Sequence, residues 1–304
     1  MGEHANESHM NAKIGNRYGK GHPLTNVASG PPTRATRGRA RPGAPFLLVA
    51  RIALAIVATL ALLLAGPLAV LAFGGIDLDA HWSTASRAST GLAPAPASEP
   101  AAVVQVYGAR AFNWRGAFGL HTWIATKRAE ADRYTVHHVL GWNLRRGRST
   151  VSTSSGGPPD FLWFDARPGL LAEHRGPGVE AMIDRIEAAV ASYPHGDRYS
   201  AWPGPNSNTF VAWVARQVPE LALDLPPTAI GKDWLPPGRY LAPTPSGTGW
   251  QLSVSGLLGI AVGRSEGIEL NLLGLNAGFD LDDLALRLPG LGRVGPGRLS
   301  LDGT

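Results

Sequence analysis

Between Ile52 and Phe73 the chain reads IALAIVATLALLLAGPLAVLAF, an uncharged run of 22 residues. A helix of that length, at ~1.5 Å per residue, crosses a hydrocarbon core of ~30 Å. The run is apolar on every side, whereas a helix on the surface of a soluble domain keeps a polar stripe. It also exceeds the ~7–15 apolar residues of a secretory signal, and no small-residue cleavage pattern precedes Gly74. The expectation is an uncleaved anchor over residues 45–74, touching the lipid bilayer through residues 52–73. Pro67 falls late in the span, where a membrane helix tolerates it.

Charge gives this anchor a direction. Residues 1–44 hold seven Lys and Arg against two Glu, a net of +5, and Arg51 adds one more. The whole chain is also +5, so residues 52–304 net −1. Asp77 and Asp79 follow the span. By the positive-inside bias the N-terminus lies in the cytoplasm and the rest of the chain outside. Basicity confined to the arm leaves no cationic face for phosphate backbones, so nucleic acid is not expected as a partner. The chain has no cysteine, which removes disulfides, thiolate metal sites and a thiol nucleophile together.

The remaining segments follow from composition. Residues 1–44 are poor in large apolar side chains and are expected as a disordered basic arm. Residues 75–102, rich in Ser, Ala and Pro, read as an extended flexible tether. A globular domain is expected over 103–295, with a short tail over 296–304. Within the domain VVQVYGARAF, FGLHTWIATK and YTVHHVLGWNL read as strands. VEAMIDRIEAAVASY has apolar residues at helical spacing, and a second helix starts at Ser207. Residues 219–245, with seven prolines, are expected as a loop wrapping the domain. GWQLSVSGLLGIAVG and GIELNLLGLNAGFDL read as two long apolar strands, one face of which must meet protein or lipid. Strands, then helices, then strands give an α+β class: a small antiparallel sheet with packed helices, preceded by one transmembrane helix.

The polar segment Asn206-Ser207-Asn208-Thr209 opens the second helix. These are favoured N-cap residues, so capping alone accounts for them. The same position also suits a nucleophile, because free N–H groups and the positive end of the helix dipole stabilise a developing oxyanion. Histidines on the strands, His121, His137 and His138, supply candidate bases. Neighbours on a strand point to opposite faces, so only one of His137 and His138 can share a face with His121; His138 is the choice, and His137 then points away. No three-ligand metal centre follows from this pattern, and no motif calls for a cofactor. Asp280, Asp282 and Asp283 lack the glycine and glutamate of a calcium loop and read as a solvated strand end. Trp114, Trp123, Trp142, Trp163, Trp202 and Trp213 are expected mostly as core, four of the six at least.

The order of His-bearing strands followed by Asn206-Ser207-x-x-Phe210 resembles the circularly permuted papain-like, NlpC-type proteins. That resemblance implies a nucleophile at Ser207, where those proteins carry cysteine, with His121 as base and His138 as the residue that orients it. Tyr199 matches their upstream tyrosine. A serine in the cysteine position departs from the pattern, and a hydroxyl is a far weaker nucleophile than a thiolate. More closely, VQVYGARAFNWRGAFGLHTWIA, DRYSAWPGPNSNTFVAW and LDLPPTAIGKDWLP resemble an uncharacterised bacterial membrane-protein family, domain-of-unknown-function family 3750, across Val103 to Gly295. This resemblance implies a bacterial membrane protein and brings no activity; with the charge bias above, the expectation is an inner-membrane protein with its domain on the periplasmic side. Two functions stay open. One is a non-catalytic binding or scaffold domain, with Asn206, Asn208, Thr209, Tyr199 and Trp202 at the site. The other is an amide or ester hydrolase or acyltransferase using Ser207. Cell-wall peptide or lipid-linked acyl groups are the candidate ligands.

Overall fold

The computed structural model describes residues 44–295, so the expected arm and tail lie almost wholly outside the described residues. The chain divides at Val49/Ala50, and every contact below belongs to the unit from Ala50 onward. Helix α1 (Ala44–Phe73) contains the apolar run and Pro67, with no acidic residue in its first turn and no basic one in its last. It is long and apolar enough to cross a membrane. Residues 50–59 are exposed, but Leu60, Leu63, Leu64, Pro67, Val70 and Leu71 are partly or wholly covered. Those positions recur every three or four residues, so one stripe of the second half of the helix packs on the domain.

The first sheet has the order β4-β3-β2-β1-β5 and its pairings are all antiparallel. Its strands are β1 (Val103–Arg110), β2 (Leu120–Lys127), β3 (Thr135–Val139), β4 (Val151–Ser155) and β5 (Gly169–Arg175). Strands β1 and β2 are buried almost throughout, because both faces of the sheet are covered. On one face Val104, Val106, Ile124 and Val139 pack under α2 (Val179–Ala191) and α3 (Ser207–Gln217). On the other, Val103, Tyr107, Ala109, Trp123 and Ala125 meet Phe161 and Trp163. Alternation along each strand thus divides the core in two.

Residues 83–102 are not a free tether. Asp160, buried, accepts hydrogen bonds from Ser89 Oγ at 2.8 Å and from the Leu92 N–H at 2.6 Å. Leu92 and Ala93 pack against the second cluster. A buried carboxylate needs such donors, and Ser, Thr and backbone N–H groups of the strap supply them. The low-complexity composition concealed that demand, because its partner is about seventy residues away.

The second sheet is a seven-stranded antiparallel meander, in order from β12 to β6. Its strands are β6 (Leu241–Pro243), β7 (Gly249–Val254), β8 (Leu258–Gly263), β9 (Gly267–Leu272), β10 (Leu275–Asp280), β11 (Ala285–Leu288) and β12 (Gly292–Val294). The two long strands expected here are therefore two hairpins. Ser255 and Gly256 take positive φ, 50° and 72°, and turn the first run back on itself. Asp280 is not a solvated strand end either. It is buried, accepts from the Asp282 N–H at 3.1 Å and pairs with Arg293 at 3.2 Å.

The polar face of this meander closes over the loop 223–235. Arg287, fully buried, donates to both oxygens of Asp224 at 2.7 and 2.8 Å and to Glu269 at 2.8 Å. Lys232 adds a contact of 2.6 Å to Glu269. Every charge in this group has an opposite partner, which is what a buried ionic cluster requires.

Candidate functional site

The start of α3 is a capping box. The Asn206 side chain accepts from the N–H groups of Asn208 and Thr209 at 2.9 and 3.1 Å, and Thr209 Oγ1 accepts from the Asn206 N–H at 3.1 Å. The same residues also fasten the helix to its surroundings. Asn206 Nδ2 donates to the Ala201 and Ile230 carbonyls at 3.1 and 2.9 Å. Asn208 Nδ2 donates to Leu120 and Ile230 carbonyls at 3.1 and 2.8 Å, and its Oδ1 accepts from Thr122 at 2.9 Å. Thr209 Oγ1 donates to the Gly231 carbonyl at 2.8 Å. All three are buried, so their polar atoms are spent on joining α3 to β2 and to the loop at 230. Tyr199 lies flat against Gly141, where any side chain would collide with its ring. Trp202 is half exposed and donates its indole N–H to the Leu273 carbonyl at 2.7 Å.

The Ser207 hydroxyl makes no hydrogen bond among the described residues, and no hydrogen bond joins it to His121. The reason is strand parity. Thr122 bonds to Asn208 and Ile124 packs under the helices, so these residues of β2 face α3. His121 and Trp123 alternate with them and face the opposite way. His121 stacks on Trp163 with ring centroids 3.5 Å apart and lies 3.5 Å, Nε2 to Nδ1, from His138. His121 and His138 therefore share a face, but it is the face away from Ser207. Nucleophile and base are not assembled.

The two imidazoles belong to an aromatic box with Phe161 and Trp163. Burial pushes His121 well below its usual range, with His138 and then Arg87 adding to the effect. Burial likewise pushes His138 down to about 4. Both are neutral at neutral pH and fully packed. Of the six tryptophans only Trp123 and Trp163 are buried and Trp213 half-buried, while Trp114, Trp142 and Trp202 reach solvent. Fewer than four serve the core.

A different place has the properties of a binding site. A groove of about 440 Å³ runs between β3, β4 and α2, lined by Thr135, His137, Thr153, Glu187 and Tyr193 among others. His137 Nδ1 lies 3.1 Å from Thr153 Oγ1. Among the described residues its buried Nε2 has no hydrogen-bond partner, and the same holds for Tyr193 Oη. An unpaired buried polar atom costs roughly 1–3 kcal/mol, so two beside one groove mark it out. Burial sets His137 at about 4, with Glu187 opposing the shift slightly. The helix-facing parity of β3 could have pointed to His137, had it been known that the helices cover that side.

Among the described residues no group of three His, Asp or Glu side chains is placed to hold a metal ion. No curated protein and no solved structure matches the chain. The permuted papain-like resemblance accordingly finds no support in the comparisons. One family does match, over a stretch that runs from just before β1 through the capped helix to Trp234. Residues 101–234 match the family DUF3750, described as a protein of unknown function.

Proposed function

We propose that this chain is a single-pass, membrane-anchored binding module whose ligand seat is the groove between β3, β4 and α2. The N-terminus is cytoplasmic and the domain stands on the periplasmic side of a bacterial inner membrane. That orientation is supported by the basic arm before α1 and the acidic residues after it. The observation that carries the binding role is the pair of unpartnered buried atoms, His137 Nε2 and Tyr193 Oη, at a groove of ligand size. Its lining sets hydroxyl, imidazole and carboxylate groups of Thr135, His137, Ser149, Thr153, Glu187 and Tyr193 among apolar surface that includes Val151, Val190 and Ala191. Such a lining favours a short polar peptide over an acyl chain, which would leave the polar atoms still unpaired. Strand β4 is an edge strand beside the groove, so an extended peptide finds free backbone groups there as well.

The test is calorimetric titration of the full chain in lipid nanodiscs with a soluble cell-wall stem peptide. Binding that weakens roughly tenfold or more, about 1.4 kcal/mol, in both His137→Ala and Tyr193→Phe supports the reading. Binding that survives both changes, or that is lost in Ser207→Ala instead, sinks it.

A further inference from the structure

The second sheet is built inside out. Register places Trp250, Val262, Ile268, Phe279, Leu286 and Val294 in one row across β7 to β12. All six are exposed, from 37 % at Phe279 to 60 % at Trp250. The next row, on the opposite face, contains Gln251, Glu269, Arg287 and Arg293. Gln251, Glu269 and Arg287 are buried. A soluble sheet with one covered face puts its apolar row inward and its polar row to water. This one does the reverse, as strands that meet lipid do. The repeat continues in the row above, where Leu252, Ile260 and Leu270 are cross-strand neighbours and also exposed. With strands ~4.8 Å apart the apolar row of six positions extends roughly 24 Å. That is broader than the apolar patches monomers usually leave in water.

What covers this face follows from where the sheet meets α1. The turn between β11 and β12 lies against the helix at Gly66 and Pro67. A side chain at Gly66 would collide with the Pro289 carbonyl, and one at Gly290 would meet Pro67 Cα at 2.7 Å. Arg51 is the last charge before the span and marks its cytoplasmic edge. A core of ~30 Å accounts for about 20 residues beyond it, to about residue 71. Gly66 and Pro67 then lie some 6–8 Å beneath the outer surface, at ~1.5 Å per residue. The sheet edge that touches them is at that depth too.

We propose that the outer face of the second sheet is seated in the outer leaflet of the bilayer that α1 crosses, so that the domain is held by a span and by an embedded sheet. This rests on the anchor reading above. The absence of cysteine makes the full chain suitable for single-site labelling. Nitroxides are placed by Ile260→Cys and Leu270→Cys on the sheet, by Leu62→Cys on α1, and by Ser154→Cys on exposed β4. Each full-length variant is studied in phosphatidylcholine nanodiscs, and collision rates with oxygen and with a water-soluble nickel chelate are compared. The expected result is an oxygen-to-nickel ratio at Ile260 and Leu270 that matches Leu62 and stands several-fold above Ser154. A lipid ratio at Leu62 with an aqueous ratio at both sheet positions overturns the proposal and leaves the anchor standing. Protection from both reagents with dipolar broadening between labels means a second copy covers the face, and also overturns it. An aqueous ratio at Leu62 removes the anchor reading and the proposal with it.

Discussion

The start of α3 offers two neighbouring residues whose replacement separates structure from chemistry. Asn206→Ala removes the acceptor for two helix N–H groups and both donors to the carbonyls of Ala201 and Ile230. The Ile230 carbonyl keeps Asn208 as a donor, so only part of that loss is left uncompensated. Loss of the cap costs about 1–2 kcal/mol. The remaining unpaired groups add roughly 1–2 kcal/mol. The sum, about 2–4 kcal/mol, is a large share of the ~5–15 kcal/mol that holds a domain together. Ser207 is buried, but its hydroxyl makes no hydrogen bond among the described residues, so Ser207→Ala leaves no partner unpaired and should cost about 0.5 kcal/mol. At about 2–4 °C per kcal/mol for a domain of this size, Asn206→Ala lowers the melting midpoint by roughly 4–16 °C and Ser207→Ala barely moves it. Thermal denaturation of the full chain in nanodiscs, followed by near-ultraviolet circular dichroism, measures both. Equal losses from the two substitutions, or a loss below about 0.5 kcal/mol from Asn206→Ala, would refute the assignment of this segment to fastening the helix.

Acid should destabilise the domain through His137 and His138. Their folded values near 4 lie below the usual 6.5, so the unfolded chain takes up protons first. Stability is then level above about pH 6.5 and falls as the pH drops toward 4, by up to roughly 3 kcal/mol for each imidazole. Urea midpoints measured across that range check the slope, which His138→Gln should reduce. Arg287→Met strips partners from Glu269 and Asp224 and should cost roughly 3–5 kcal/mol, read as a lower urea midpoint. Gly66→Val drives a side chain into the Pro289 carbonyl and should cost about 1–3 kcal/mol by overpacking, while Leu62→Val on the exposed side of α1 leaves the midpoint unchanged.

Periodicity alone determined a good deal of this protein. The uncharged run could only be a long apolar helix, and the apolar spacing of Val179 to Val190 could only be an amphipathic one. The Asn and Thr residues before Phe210 announced a helix start, and parity on β3 correctly separated His137 from His138. These are local properties, written in the spacing of neighbours along the chain. Which face of the first sheet the helices cover is not local. It depends on how α2 and α3 return across the strands, and that choice put Thr122 rather than His121 beside the capped helix. The strap over Asp160 and the pairing of Arg287 with Asp224 join residues more than sixty positions apart, at separations where no pattern in the sequence repeats. Leu and Gly alternation in residues 249–280 likewise fixed that one face would be apolar. Only the register of the meander, and its contact with Gly66, decided that this face points outward beside α1.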